Sequence, residues 1–196
     1  GLMVDKNGQR FMNEDVLGGL ACATIMHLPE KTAYCIWGQN RAEAGGPWGA
    51  INYAHGEYFT TEEVIERWDT DADGFGIVKA DTREEVISKL GLPAETIDTV
   101  NRYNEMCASG VDTDFYKTAD KLIPIGEGDG PFYGASFTPG FLTSLGGLRT
   151  DVNLRVLDEN DEPIEGLFNA GCMIGNFYSA TYTFAMEGMN YGATCI

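Results

Sequence analysis

The sequence predicts a mixed helix-and-strand chain, α+β in class with α/β as the neighbouring reading, and three observations carry this. Helical stripes of apolar residues in the middle of the chain are flanked by short apolar runs of strand length. Twenty-five glycines in 196 residues favour a loop-rich fold over a helical bundle. A hydrophobic content of 43% is enough for one ordinary domain or two small ones.

The elements follow in order. Leu2-Met3-Val4 and Arg10-Phe11-Met12 flank Asn7-Gly8, a pair that tolerates positive φ, so this segment predicts a hairpin. Asp15 is placed to cap a helix running to about Leu28, stopped by Pro29, with Gly18-Gly19 as a costly pair inside it. Lys31 to Trp37 reads as a buried strand, and Gly38 to Tyr58 as irregular chain rich in glycine and aromatics. Thr60 or Thr61 starts a short helix, Glu62 to Trp68, followed by a loop from Asp69 to Gly76 and an extended piece, Ile77 to Ala80. Thr82 and Glu85 form a capping-box pattern ahead of a helix from Arg83 to Leu90, with Val86, Ile87 and Leu90 on one face and Gly91 as its end. Pro93 opens a longer helix to about Ala108, with Ile97, Val100, Tyr103 and Met106 or Cys107 as its stripe and Gly110 as its stop.

Glycine and acid alternate from Gly126 to Gly130, which reads as a boundary or an exposed loop. Phe132 to Phe137 is a strand, Leu145-Gly146-Gly147-Leu148 and then Leu154-Arg155-Val156-Leu157 follow, Asp158 to Pro163 is a polar turn, and Leu167 to Gly171 a short strand ending on glycine. The tail from Cys172 is rich in Gly, Tyr, Phe and Met and stops at Ile196 inside a helical pattern. Both ends read as cut, so the expectation is a piece of a longer chain.

The charge balance of 13 basic against 30 acidic residues, a net −17, argues against nucleic acid and against an anionic membrane surface, because both need clustered cations. No apolar run approaches the ~20 residues of a spanning helix. Five cysteines without a CxxC spacing suggest neither a disulfide framework nor a zinc site, and each reads as a buried reduced thiol. Asp69, Asp71, Asp73 and Gly74 match the opening of a calcium loop, but its twelfth position is Ala80 where a glutamate is needed, so a solvated acidic loop is the reading. His27 and His55 are the only histidines and lack ligand-spaced partners. His55, in a glycine-rich loop between Tyr53 and Tyr58, is a candidate for the substrate pocket, with a surface or structurally bonded histidine as the alternative. There is no nucleophile elbow, P-loop or Rossmann turn, and Gly126-Glu127-Gly128-Asp129-Gly130 lacks dinucleotide-fingerprint spacing. In the tail, Glu187-Gly188-Met189-Asn190-Tyr191 opens a helix after a glycine-rich loop. Free N–H groups there suit an anion or an electron-rich cofactor edge, and a glycine-rich packing loop is the other reading.

Several blocks together resemble the flavoprotein family of fumarate reductase, succinate dehydrogenase and ketosteroid Δ1-dehydrogenase. They are Asn7-Gly8-Gln9-Arg10-Phe11-Met12-Asn13-Glu14, Ala80-Asp81-Thr82 through Leu92-Pro93, Asn101-Arg102-Tyr103-Asn104, Asp112-Thr113-Asp114-Phe115, Gly146-Gly147-Leu148-Arg149-Thr150-Asp151, and Pro163-Ile164-Glu165-Gly166-Leu167-Phe168-Asn169-Ala170-Gly171. Their order and spacing, from Asn7 to the C-terminus, make the match specific.

The resemblance implies an FAD domain with a Rossmann-like core, interrupted by an α+β cap that closes over a small-molecule substrate. Residues 1 to about 142 correspond to most of the cap, incomplete at its N-terminal side, and residues from about 143 to 196 to an incomplete C-terminal part of the FAD domain, with the dinucleotide fingerprint upstream and the natural chain continuing past Ile196. A piece without its pyrophosphate site is not expected to hold FAD tightly. By the same resemblance Gly146, Gly171, Cys172, Gly188, Met189 and Asn190 lie along the flavin, and Thr143 and His55 on the substrate side. Three departures bear on the substrate. Gly18 stands where fumarate reductases have a proton-donating arginine, Leu142 and Thr143 where they have a carboxylate-clamping histidine, and Tyr182 where they have a second clamping arginine. A dianion buried without cations pays a heavy desolvation cost, so fumarate and succinate are not the expected substrates. Thr181-Tyr182 instead matches the tyrosine of the ketosteroid branch. A phenol there can hydrogen-bond a ketone oxygen and stabilise an enolate, with Tyr178 as its partner, and aromatic packing is the alternative for both. Cys172 replaces an acidic or amide residue that bonds the flavin ribityl chain in relatives. The implied activity is hydride transfer between flavin N5 and an activated C=C bond of an enone or acrylate, with an electron donor or acceptor as second partner. A non-catalytic binding domain of the same family is the rival.

Overall fold

The computed structural model describes residues 1–16, 18–45, 48–49, 58–140 and 146–175. The chain is α+β and divides into two compact units, Gly1–Val16 with Ala23–Pro139, and Leu17–Cys22 with Gly140–Ile196.

The first unit is built on a four-stranded antiparallel sheet of β1 (Leu2–Val4), β2 (Ala33–Gly38), β5 (Val78–Ala80) and β6 (Phe132–Phe137), in the order β1-β2-β6-β5. The registers Leu2↔Ile36, Ile36↔Gly134 and Val78↔Gly134 put one set of side chains on one face, while Met3↔Cys35, Cys35↔Ala135 and Trp37↔Tyr133 put the alternate set on the other. Helices α4 (Arg83–Lys89) and α5 (Thr96–Ser109) cover the first face. Val86, Ile87, Val100, Tyr103 and Met106 join Leu2, Val4, Ile36 and Phe132 there in the main core. On the second face Cys35, Trp37, Tyr133 and Ala135 pack with Met3, Ile77 and Trp68, the last from α3 (Thr61–Thr70). This face is aromatic: Trp37 stacks on Tyr133 at 6.0 Å and meets Trp68 edge-on at 5.6 Å.

Local chemistry explains the ends of these elements. Thr60 caps α3 and completes a capping box with Glu63, donating and accepting at 2.8 and 3.2 Å. At α4 the threonine arm of the expected box forms, with Glu85 N–H donating to Thr82 Oγ1 at 3.2 Å. The stripe Val100, Tyr103, Met106 of α5 is buried as expected, and Gly110 ends the helix in the left-handed region.

Several expectations are corrected. Only Gly8 takes positive φ (73°) in the Asn7-Gly8 turn, and Gly8 N–H donates to Asp5 O at 3.0 Å. The Asp5 carboxylate fixes the turn by accepting from the N–H groups of Asn7 and Gln9, and the return arm shrinks to one bridge, Val4↔Arg10. Helix α1 spans Gly18–Met26, short of Leu28, and the expected cap Asp15 accepts from Thr118 Oγ1 at 3.2 Å. Strand β2 starts at Ala33, because Lys31 has φ of 50°. The stretch Gly38–Tyr58 includes a short helix α2 (Arg41–Ala44) and pairs β3 (Trp48–Gly49) with β4 (Tyr58–Phe59). Gly126–Gly130 is no boundary: Gln39 N–H donates to Asp129 O at 2.8 Å, and β6 beyond it lies inside the sheet. Helix α3 runs two residues past Trp68, and the carboxylates of the acidic loop turn to separate partners. Asp69 binds Lys79 Nζ (2.7 Å) and Tyr133 OH (2.8 Å), Asp71 accepts three backbone N–H groups, and Asp73 pairs with Arg67. Among the described residues no cluster of His, Cys, Asp and Glu is arranged to hold a metal ion. Cys35 is buried and Cys107 and Cys172 half-buried, but Cys22 is exposed, contrary to the expectation of burial.

In the second unit β7 (Arg155–Leu157) pairs antiparallel with β8 (Pro163–Phe168). The strand expected at Leu167–Gly171 is therefore displaced toward the N-terminus. The cause is the turn before it, where the Asp158 carboxylate accepts from the N–H groups of Asn160 and Glu162 at 2.8 and 3.0 Å and releases the chain into a strand at Pro163. No helix among the described residues is long and apolar enough to cross a membrane.

Candidate functional site

The hairpin block closes on a buried ion cluster in the first unit. The Arg10 guanidinium donates to both oxygens of Glu14 at 2.9 Å and to both oxygens of Asp112 at 2.9 and 2.7 Å. It lies within cation–π reach of Tyr103 and Phe115, at 5.2 and 5.1 Å. Lys117 Nζ donates to Glu14 at 3.3 Å and to the Tyr103 hydroxyl at 3.4 Å. Asp112 also accepts the N–H groups of Asp114, Phe115 and Lys117, and Glu14 accepts that of Met3. The four charged side chains are each at most 4% exposed, so two cations and two carboxylates balance where water cannot help. Burial pushes both carboxyls up, but Arg10 and the N–H donors outweigh it for Asp112, and Arg10 and Lys117 outweigh it for Glu14. Both stay below the ordinary carboxylate range. Burial pushes the Tyr103 phenol up, keeping it protonated. A small polar cavity of about 180 Å³ adjoins the cluster, lined by Glu14, Lys117, Asp15, Arg41 and Lys121.

Sequence reasoning picked out Arg10, Glu14 and Asp112 only as letters of a motif and read Tyr103 as core. It passed over Lys117, for which a single lysine in polar chain gives no periodic signal.

In the second unit the two blocks expected beside a flavin meet. Leu148 N–H donates to Met173 O at 3.0 Å and Gly175 N–H to Leu148 O at 3.0 Å, making a parallel bridge Leu148↔Ile174. The backbones approach so closely that a Cβ on Gly147 would collide with the Met173 carbonyl, and one on Gly175 with that of Gly147. Gly171, buried with φ of 73°, opens a single 3₁₀ turn to Met173 that holds the half-buried Cys172. Gly146 is exposed, with no atom of the described residues within 4 Å of where a side chain would begin. Leu148 and Met173 are exposed apolar groups beside this seam. Asn169 is buried, its Nδ2 donating to Met173 O at 2.8 Å while Oδ1 has no partner among the described residues. A thin, apolar, side-chain-poor seam with a spare acceptor fits a flat cofactor ring carrying N–H and C=O groups.

Gly147→Ala is expected to destabilise the intact protein by about 1–3 kcal/mol, since the backbones must part, whereas Gly146→Ala stays within about 0.5 kcal/mol. Thermal unfolding of the two variants checks this.

Gly146, Gly171 and Cys172 are thus brought to one seam. Thr143, His55, Tyr178, Tyr182, Gly188, Met189 and Asn190 lie outside the described residues.

Residues 1–187 match the family described as FAD binding domain. The chain belongs to this FAD-binding family, with its fumarate reductase-like and 3-ketosteroid dehydrogenase-like members. It is 31% identical over 207 residues to a 3-oxosteroid 1-dehydrogenase of Mycobacterium tuberculosis, covering 92% of this chain and 34% of that protein. It is 29% identical to a vinyl phenol reductase of Lactiplantibacillus plantarum, covering 100% of this chain and 39% of that one. The crystal structure of 3-ketosteroid-Δ4-(5α)-dehydrogenase from Rhodococcus jostii, in complex with 4-androstene-3,17-dione, is similar at a TM-score of 0.65 and 27% identity, covering 99% of this chain and 36% of that one. The chain therefore spans little more than a third of the length of these relatives. The family implies FAD as its cofactor.

Proposed function

We propose that the intact protein is an FAD-dependent oxidoreductase acting on an activated C=C bond, or on the corresponding saturated CH–CH bond, of an enone- or acrylate-like substrate. The observation that carries the reading is the match of residues 1–187 to the FAD binding domain family, supported by relatives named 3-oxosteroid 1-dehydrogenase, vinyl phenol reductase and, at 34% identity over 121 residues, NADH:acrylate oxidoreductase. In this reading residues 1 to about 142 are most of the cap, incomplete at its N-terminal side, and residues from about 143 the C-terminal part of the FAD domain.

Bound FAD supplies a hydride acceptor or donor at N5. Gly146, Gly171 and Cys172, with Gly188, Met189 and Asn190 of the tail, would hold it. The Tyr182 hydroxyl donates a hydrogen bond to the substrate carbonyl and stabilises enolate charge, with Tyr178 orienting it. Thr143 and His55 face the substrate. Gly18, Leu142, Thr143 and Tyr182 at the three positions of the dicarboxylate anchors support a substrate other than fumarate or succinate.

The visible absorbance of the purified full-length protein tests this reading. A flavin spectrum that bleaches on reduction and returns with an enone or acrylate is the expected result. A flavin-free protein that refuses added FAD sinks it. Gly18 favours one rival, a domain that kept the cap and lost the chemistry; a flavin that photoreduces but is reoxidised by no enone or acrylate selects that rival.

A further inference from the structure

The second face of the sheet in the first unit carries three rings in mutual contact. Tyr133 and Trp37 are buried there, and Trp68 of α3 is half-buried. The ring centroids lie 5.3 Å apart for Trp68 and Tyr133, 5.6 Å for Trp37 and Trp68, and 6.0 Å for Trp37 and Tyr133. Trp68 also lines a cavity of about 280 Å³, so a small diffusing oxidant can touch the indole pair. Rings at these separations exchange an electron readily.

The phenol end of the cluster is built for more than packing. A buried hydroxyl needs only an acceptor, and a neutral carbonyl would serve. Tyr133 instead donates to an ionised carboxylate, Asp69 Oδ1, at 2.8 Å. Lys79 Nζ, at 2.7 Å from the same oxygen, holds Asp69 below the ordinary carboxylate range, so it carries no proton at neutral pH. Burial and the carboxylate together push the Tyr133 phenol up, so it keeps its proton until it is oxidised. The Asp69 side chain is 37% exposed, which connects the hydroxyl of a fully buried ring to solvent through one group. Lys79 Nζ also lies 5.7 Å from the centre of the Tyr133 ring, where its charge opposes a second positive charge. An electron can therefore leave Tyr133 only as the proton leaves too, and Asp69 is placed to take it.

We propose that Trp37, Trp68, Tyr133 and Asp69 form a relay that moves an oxidising hole from the indoles to a buried phenoxyl. A one-electron oxidant, a small radical, takes an electron from an indole and is itself reduced. One electron then passes from Tyr133 to the indole radical and restores the tryptophan. The Tyr133 O–H bond breaks, its proton goes to Asp69, and a neutral phenoxyl remains. A one-electron reductant such as ascorbate returns the electron, and Asp69 returns the proton. The relay uses none of the residues assigned to hydride transfer, so it stands or falls independently of the oxidoreductase reading.

Pulse radiolysis of the full-length protein, with any bound flavin oxidised, tests this. Azide radical oxidises indoles selectively, and the indolyl and phenoxyl radicals have separate absorption bands. In the parent the indolyl band is expected to decay as the phenoxyl band grows, at one rate that does not depend on protein concentration. Tyr133→Phe should remove that growth phase. Asp69→Asn keeps a hydrogen-bond acceptor but not a base, and should slow the phase by about tenfold or more. Asp69 lies at the surface, so this variant is informative even where Tyr133→Phe does not fold; melting temperature and flavin content of both are read alongside. The proposal is overturned if the parent shows no such phase, if its rate rises with protein concentration, if folded Tyr133→Phe keeps it, or if Asp69→Asn leaves its rate unchanged.

Discussion

Arg10→Met is expected to lower the unfolding free energy of the intact protein by about 3–5 kcal/mol, the cost of leaving buried carboxylates without their cation. Four hydrogen bonds to Glu14 and Asp112 are lost at once. Lys117 cannot take over, since it already serves Glu14 and Tyr103 and donates no side-chain bond to Asp112. Arg10→Lys should recover only part of the loss, because a point-like ammonium cannot hold two carboxylates in a planar fork. Chemical denaturation of the three proteins measures the series, and an Arg10→Met variant as stable as the parent would remove the cluster as a structural anchor. The same cluster sets an acid limit. Glu14 and Asp112 have folded-state values below their unfolded ones, so their stabilisation is complete above the unfolded carboxylate values of about 3.9–4.3 and is lost as pH falls through the lower folded values. Melting temperature should therefore drop as pH falls below about 4. Asp112→Asn, which starts from a lower plateau, should show a shallower drop.

Tyr182→Phe is expected to reduce turnover of an enone substrate by about 10²–10³-fold with flavin content retained, the usual cost of deleting one donor to a developing oxyanion. The effect should fall on kcat more than on KM, because the hydrogen bond strengthens as the carbonyl oxygen gains charge. Tyr178→Phe should cost about tenfold, since it acts through the orientation of another group. Steady-state kinetics of the flavin-loaded full-length protein distinguishes the alternatives. Unchanged turnover in Tyr182→Phe would return both rings to aromatic packing.

Legibility differed by kind of element. Helices α3, α4 and α5 were legible because capping residues and a 3.6-residue stripe are local signals, and Thr60, Thr82 and Gly110 stand where those signals put them. The strand Phe132–Phe137 was legible as well, but its place between β2 and β5 was not, since pairing partners far apart in sequence leave no local trace. The glycine run at Gly126 read as a boundary or an exposed loop for the same reason: composition reports exposure, which Glu127 and Gly128 have, and the bond from Gln39 to Asp129 ties that loop to the sheet. Of the candidate site, the seam glycines were found through the family blocks. The reason for Gly147 became visible only when Met173 was placed against it.

By itself the sequence determined the α+β class, the helices α3, α4 and α5, the family and therefore the cofactor that the family implies, because these rest on local periodicity and on ordered motif blocks. The tertiary structure alone decided that Arg10, Glu14, Asp112 and Lys117 form one buried, charge-balanced cluster, and that the buried Trp37 indole N–H finds no partner among the described residues. The physical reason is that burial and ion pairing depend on distance in space. Arg10 and Asp112 lie 102 positions apart along the chain, and their oxygen and nitrogen atoms are 2.7 Å apart in the fold.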